Sequence, residues 1–203
     1  MCRVSPLTAV DPGETTRQRI LDVALELFSS HGFAATSTRE LSERLGFTKA
    51  ALYYHFHTKD DLLQALVDPV MAELTGVLDR HGASGRPADD AGRRAVLADY
   101  LAVISAHRRL IGVLVQDPSA AGRPAMEAGR QFYVRLADLL AAPDRPGQAE
   151  QTRVRFVLGG LHAAVLFAEP EDDPGTVRAT ALAAGCAALG LTEPRKTGAG
   201  PSR

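Results

Sequence analysis

The residues best suited to contact another molecule lie in one short segment, residues 48–59. The segment contains no acidic residue, and it places Tyr53 and Tyr54 between Lys49 and His55. Tyrosine hydroxyls can donate hydrogen bonds to phosphate oxygens, and lysine can reach phosphates or the edges of bases. This composition indicates a surface for nucleic acid, although half-buried packing against a helical core is an alternative for Tyr54.

The charge balance neither identifies nor excludes such a surface. The chain holds 23 Lys and Arg against 24 Asp and Glu, which gives a formal net charge of −1. Residues 1–58 are neutral, because they hold six residues of each sign. A protein that coats nucleic acid because its whole chain is basic is therefore excluded, whereas a small basic face is not.

Other kinds of chemistry have little support in the sequence. The pair His55-x-His57 has a spacing found among metal ligands, but no third ligand stands near it. A solvated or phosphate-facing histidine pair is the preferred interpretation. No nucleophile–base arrangement or glycine-rich phosphate loop indicates an enzyme. We therefore expect no catalytic residue, no metal and no cofactor.

The cysteines and the apolar segments indicate a cytoplasmic protein. Cys2 and Cys186 lie at opposite ends of the chain, which gives no disulfide framework and favours a reducing compartment. The N-terminal residues lack the apolar stretch of a signal peptide. No uncharged segment reaches the roughly 20 apolar residues that span a bilayer.

Two short helices are predicted to position the segment at 48–59. A capping box, Ser37-x-x-Glu40, begins the first of them, and Gly46 ends it. Thr48 then caps the second, over residues 49–56. Two short helices joined by a tight turn at a glycine have the outline of a helix-turn-helix. The same spacing also fits an ordinary corner between two core helices.

Helices are predicted along nearly the whole chain, because apolar residues recur every three or four positions. The first is predicted over residues 17–31 with Thr16 as its cap, and the fourth begins at Thr58 and should kink near Ala65 because it contains Pro69. A loop is predicted over residues 76–90. The remaining predicted helices cover residues 91–106, 126–140, 148–168 and 177–191, with an apolar run at 110–115 and with Asp173 and Pro174 at the start of the last helix.

Four sequence motifs follow one another along the chain: FSSHGF at 28–33, TSTREL at 36–41, GFTKAALYYHF at 46–56 and KDDLL at 59–63. Together they resemble the N-terminal domain of TetR-family transcriptional regulators, whose spacing they match without a gap. The resemblance implies an all-α fold with an N-terminal three-helix helix-turn-helix domain and a C-terminal helical domain for ligand binding and dimerisation. It departs from the family pattern at Ser42, where alanine is frequent, and at Ala50, where glycine is frequent.

The resemblance also implies which residues contact DNA. Those that would approach phosphates or the groove edge from the second helix are Thr38 and Arg39. Those that would face bases are Thr48, Lys49, Ala50 and Tyr54, and those that would hold phosphates are Tyr53, His55 and Lys59. Arg17 and Arg19 either touch the flanking DNA or only solvate the first helix.

The predicted organisation has four parts: a flexible arm at 1–15, the DNA-binding domain at 16–58, an effector-binding and dimerisation domain at 59–192 and a disordered tail at 193–203. The helix at 148–168 is apolar nearly all round in its later half, so it needs cover on every side, and the chain has few other helices to supply it. We expect a homodimer through this helix and the one at 177–191, with a self-contained bundle as the alternative.

The predicted function is a homodimeric transcriptional regulator, most simply a repressor that a small-molecule effector releases from a palindromic operator. Polar or aromatic residues near the apolar stretches are the candidates to bind the effector, although each could instead be an ordinary core or surface residue: Tyr100, His107, Phe132 and His162. The alternative function is a helical small-molecule-binding protein that does not bind DNA.

Overall fold

The computed structural model describes residues 12–83, 85, 87, 89–116, 124–145, 147–169 and 171–192, and their regular structure is entirely helical. Nine α-helices form within these ranges: α1 (Pro12–His31), α2 (Thr38–Leu45), α3 (Lys49–His55), α4 (Lys59–Gly82), α5 (Asp90–Ala106), α6 (Arg108–Gln116), α7 (Pro124–Leu140), α8 (Gln148–Leu166) and α9 (Pro174–Ala188). The predicted all-α fold is confirmed. None of these helices combines the length and apolarity needed to cross a bilayer.

The first three helices form a small unit, which we call the head (residues 12–58), around an apolar cluster. Ile20 and Phe28 of α1, Leu41 of α2 and Leu52 of α3 are all at most 1% exposed. Phe33, in the loop between α1 and α2, meets the ring of Phe28 edge to face with the centroids 5.0 Å apart. The cluster fixes how α2 and α3 cross over α1.

The turn between α2 and α3 forms as the capping signals predict. The Glu40 amide donates to the Ser37 hydroxyl at 3.1 Å, and Gly46 takes a left-handed φ of 69° that a side chain would disfavour. The Phe47 amide then donates to the Ser42 carbonyl at 2.9 Å, which closes the end of α2. The chain can therefore reverse within three residues and begin α3 at once.

The first helix begins earlier than predicted. It starts at Pro12, a residue that the first turn of a helix accepts because its missing N–H has no intrahelical partner there. Thr16 therefore lies inside α1 and is not its cap. Residues 1–11 of the predicted arm and the predicted tail at 193–203 lie outside the described residues.

The fourth helix begins where the sequence predicts and ends later. Thr58 caps it through the Asp61 amide at 3.0 Å. The loop predicted over residues 76–90 is wrong in its first half, because α4 continues to Gly82. Val77 and Leu78 are buried and extend the apolar stripe of the helix by another turn. The helix runs through Pro69, and the predicted kink stays a prediction.

The helices α4 to α9, which we call the body (residues 59–192), share one apolar core. The α4 helix packs against α5 and α7, and α9 packs against α5 and α8. A buried ion pair joins the start of α8 to α5, with Arg93 Nη2 at 3.2 Å from Glu150 Oε1. Arg93 Nε also donates to the Leu140 carbonyl at 2.9 Å, so the same guanidinium holds the end of α7.

Candidate DNA-binding interface and ligand cavity

The outer face of α3 points away from the core of the head. Leu52 is the one residue of this helix that is buried. Thr48, Lys49 and Ala50 are exposed, and Tyr54 is 84% exposed. The alternative in which Tyr54 packs half-buried against the core is therefore wrong. The hydroxyl and ring of Tyr54 stand in solvent, where a large partner can reach them.

Neighbouring rings restrain this exposed face. The Lys49 ammonium lies 5.6 Å from the centroid of the Tyr53 ring, a distance at which the ring attracts the cation. The rings of Tyr54 and His55 meet edge to face with their centroids 5.3 Å apart. Tyr53 and His55 are half-buried. The face thus presents a cation, two phenol groups and an imidazole on two turns of helix, beside the exposed cap Thr48.

The second helix contributes an exposed guanidinium next to this face. Arg39 Nε lies 2.8 Å from Glu43 Oε1, with both side chains mostly exposed. The hydrogen bond that Arg39 donates to Glu43 raises the pKa of Arg39, so the guanidinium stays charged. An ion pair this exposed contributes little stability. A phosphate can therefore replace Glu43 at small cost. Thr38 is half-buried, and its carbonyl accepts the Ser42 hydroxyl at 2.9 Å.

Lys59 is held inside the head rather than presented to solvent. Its ammonium donates to the carbonyls of Phe33, Ala34 and Thr36 at 2.6, 3.2 and 2.9 Å. It also lies 4.4 Å from the centroid of the Phe33 ring. The phosphate contact predicted for Lys59 stays a prediction, and it would require the ammonium to leave the three carbonyls of the loop between α1 and α2.

The two arginines of α1 also have partners within the head. The Arg17 guanidinium lies 4.9 Å from the centroid of the Phe56 ring. Arg19 donates to the Leu45 carbonyl at 3.3 Å and lies 5.6 Å from the centroid of the Phe47 ring. Both arginines therefore do more than solvate α1, since they pack its outer side against the ends of α2 and α3.

A cavity of about 160 Å³ lies inside the body, with walls from α4, α5, α6, α7 and α8. It brings together three of the four predicted effector residues, Tyr100, Phe132 and His162. The sequence analysis did not select the wall residues from α4 and α6, although each set follows the apolar periodicity of its helix. These residues are Val67, Met71 and Leu74 of α4 and Leu110, Ile111 and Leu114 of α6. Tyr133, the neighbour of Phe132, also lines the cavity.

His107 does not line this cavity. It ends α5, and its Nε2 lies 3.1 Å from Glu73 Oε1 on α4. The structure therefore does not bring His107 together with Tyr100, Phe132 and His162, and its contact with an effector stays a prediction. Nearness to apolar residues along the chain selected His107, whereas its position at the corner between α5 and α6 turns the ring towards α4.

The polar atoms of the cavity form one close pair. The Tyr100 hydroxyl and the His162 Nε2 lie 2.8 Å apart. Burial raises the pKa of the Tyr100 hydroxyl and lowers the pKa of the His162 imidazole, so both groups favour their neutral forms. The Tyr133 ring stacks on His162 with the centroids 6.1 Å apart, and its hydroxyl donates to the Arg155 carbonyl at 3.2 Å.

A wider, open cleft separates the head from the body. Its volume is about 580 Å³, and it lies between the end of α1 and the helix α6. His31 stands on the head side and Arg108 and Arg109 on the body side. No group of three His, Cys, Asp or Glu side chains within the described residues is arranged to hold a metal ion.

Residues 20–66 match the family described as bacterial regulatory proteins, tetR family. Over 53 residues the chain is 47% identical to the HTH-type transcriptional regulator AcrR of Shigella flexneri, a match that covers 26% of this chain and 25% of AcrR. Over 111 residues it is 32% identical to the tetracycline repressor protein class A from transposon 1721 of Escherichia coli, covering 53% of this chain and 48% of that repressor. The chain thus aligns with less than half the length of each of these two relatives.

The likeness in structure extends beyond the head. SCO3833, a member of the TetR transcriptional regulator family from Streptomyces coelicolor A3, matches with a TM-score of 0.68 at 26% sequence identity. This match covers 86% of the present chain and 91% of SCO3833, so it includes the body as well as the head. Residues 20–66 therefore carry the N-terminal domain of the tetR family of bacterial regulatory proteins, and the body shares its fold with a TetR-family regulator.

Proposed function

We propose that the chain is a homodimeric transcriptional repressor that binds a palindromic operator and leaves it when a small molecule occupies the cavity of the body. The observation that carries this proposal is the exposed face of α3, where Tyr54 is 84% exposed beside the exposed Lys49. A large aromatic side chain held in solvent on a polar helix has little structural use. It is well placed to meet the major groove, which admits one α-helix.

Each residue of the interface receives a role from its position. Lys49 and Tyr54 face outward from α3 and are assigned to base edges, together with Thr48 and Ala50. Arg39 is assigned to a phosphate, because exchanging its exposed pair with Glu43 costs little. Tyr53, His55 and Thr38 remain assigned to phosphates beside the groove, whereas Lys59 supports the loop before α2.

A second copy of the chain is assigned to the outer face of α8 and α9. Phe156 and Phe167 are 75% and 70% exposed on this face. Between them lie small residues such as Gly160, and α9 adds Ala184 and Ala188. Small residues let helices approach closely, and exposed aromatic rings gain most from being covered. This surface supports the dimer over the self-contained bundle. In a dimer, two reading helices about 34 Å apart meet one side of a duplex.

Release of DNA is assigned to helices that reach both the cavity and the head. The α6 helix lines the cavity and packs against α1, and α4 lines the cavity and begins at the end of the head. A ligand that fits better when these helices shift favours a state in which the two heads are misaligned. The loss of DNA affinity then equals the difference in ligand affinity between the two states.

Footprinting on the DNA that flanks the gene of this protein tests the proposal. We expect protection of two half-sites with centres one helical turn apart, and loss of that protection in the Tyr54→Ala variant. Arg135→Ala removes an exposed side chain of α7 and should leave the footprint unchanged. Failure to protect any sequence, by a folded protein that still binds small molecules, would favour the alternative of a ligand-binding protein without DNA function.

A further inference from the structure

Among the described residues, the walls of the cavity in the body carry no charged side chain. The described residues that line it include no Asp, Glu, Lys or Arg side chain. A charged ligand would lose its hydration without gaining an opposite charge, a penalty that far exceeds the gain from apolar contact. The electrostatics of this cavity therefore select an uncharged molecule.

The volume of the cavity accommodates a small molecule of about one aromatic ring. Its volume of about 160 Å³ is close to that of an apolar protein cavity of roughly 150 Å³ that admits benzene. The aromatic walls also favour a flat ligand. The Tyr100 and Phe132 rings lie 6.0 Å apart with an interplanar angle of 28°, so a ring at the edge of this pair can continue the stack.

The pair of Tyr100 and His162 supplies one adaptable hydrogen bond. When His162 Nε2 accepts the Tyr100 proton, the phenol oxygen keeps a lone pair for a donor on the ligand. When Nε2 carries the proton and donates it, the Tyr100 hydroxyl is free to donate to an acceptor on the ligand. Tyr133 cannot do the same without giving up the Arg155 carbonyl.

From these three features we infer that the cavity binds a small uncharged molecule of about one aromatic ring, with one hydroxyl or carbonyl group that bonds to the Tyr100–His162 pair. This inference rests on the proposed function, since it names the chemical class of the effector for the same cavity. The pair joins α5 to α8, so the polar group of the ligand contacts these two helices. The apolar part of the ligand contacts the walls from α4 and α6.

A panel of four probes of nearly equal size tests the inference on the full chain by titration calorimetry. The probes are phenol, toluene, benzoate and benzylammonium. We expect saturable binding of phenol and toluene, with benzoate and benzylammonium at least tenfold weaker than phenol. Binding of either ion as tightly as phenol would overturn the inference, and so would the failure of both neutral probes to bind up to their solubility.

Two matched variants test the anchor. Tyr100→Phe removes the anchoring hydroxyl and keeps the ring, so the ratio of phenol affinity to toluene affinity should fall about fivefold, the worth of one ordinary hydrogen bond. Tyr133→Phe removes a hydroxyl that is bonded to Arg155 and should leave the ratio unchanged. An unchanged ratio in a Tyr100→Phe protein that still binds toluene would contradict the anchor.

The readouts separate this inference from the proposed function. Calorimetry needs no DNA, and the operator affinity is measured in a separate gel-shift titration. If phenol binds as described and the operator affinity stays the same, the ligand class stands and release by this ligand fails. If operator binding is normal and no neutral probe binds, the ligand class fails while the DNA-binding function stands.

Discussion

His107 Nε2 lies 3.1 Å from Glu73 Oε1, and this contact joins the corner between α5 and α6 to the middle of α4. Both α4 and α6 line the cavity, and both pack against α1 of the head. His107 immediately precedes Arg108, the first residue of α6. The contact therefore lies where a movement of α6 relative to α4 must either preserve it or break it.

Removing this contact should change coupling rather than ligand binding. In the His107→Ala variant, we expect phenol affinity in the absence of DNA to stay within twofold of the unmodified chain, because His107 is outside the cavity. The coupling free energy, which is obtained from the ratio of operator affinities with and without phenol, should shift by about 0.5–2 kcal/mol. Glu73→Gln removes the charge from the other side of the contact and should shift the ratio in the same direction. Opposite shifts in the two variants would exclude this role.

Acidification should destabilise the protein through His162. Burial lowers the pKa of this imidazole from its ordinary value of 6.5, so the unfolded chain binds the proton more tightly than the folded chain. The contribution of His162 to stability is therefore complete above pH 6.5 and is lost as the pH falls below it. We expect the Tm to fall between pH 7.5 and 5.5, and to fall less in His162→Gln. An equal decrease in both proteins would place the titrating group elsewhere.

Arg39 and Lys59 should behave differently when each is replaced by methionine. Arg39 in each subunit of a dimer neutralises two phosphates, for which the slope of log K against log salt is about −2. Arg39→Met should bring this slope close to zero. Lys59→Met should instead cost about 1–3 kcal/mol of folding free energy, because three carbonyls lose a charged donor.

The measurements for this comparison are the salt dependence of operator binding and the free energy of unfolding in urea. Lys59→Met should leave the slope near −2 in the fraction of protein that remains folded. A slope that falls equally in both variants, without any change in stability for Lys59→Met, would restore Lys59 to the phosphate contact that its sequence position implies.

If the outer face of α8 contacts a second copy of the chain, an acidic residue introduced at its centre should prevent dimer formation. Phe156→Glu places a carboxylate on a side chain that is 75% exposed in one chain, so it should not disturb the fold of that chain. We expect sedimentation to show monomers and the operator affinity to fall at least tenfold. Val134→Glu makes a similar change at a residue of α7 that is 53% exposed and should leave the dimer intact.

The local signals of the sequence predicted the elements well, because caps depend on residues three positions apart. Ser37, Thr48, Thr58 and Asp173 all cap helices as expected. The same signals failed at the end of α4, where burial against the body continues a helix that Gly76 was expected to end. Propensity is a weak guide when packing on one face opposes it.

The residues of the candidate sites were predictable only where the order of the motifs or the apolar pattern of a helix indicated them. The exposed face of α3 follows from the motif, and three cavity residues follow from aromatic side chains within apolar helices. The carbonyls that hold Lys59 come from a loop 23 to 26 residues earlier in the chain. Contacts at that separation depend on how α1 and α4 cross, and no local pattern specifies the crossing.

The most direct test of the central claim is the preference of the Lys49→Ala variant for the operator over an unrelated duplex of equal length. We expect this preference to fall by about 1–3 kcal/mol, since a base-reading contact is lost, while binding to the unrelated duplex weakens far less. A Lys49→Ala protein, folded and dimeric, that retains the full preference would contradict the assignment of α3 as the helix that reads DNA.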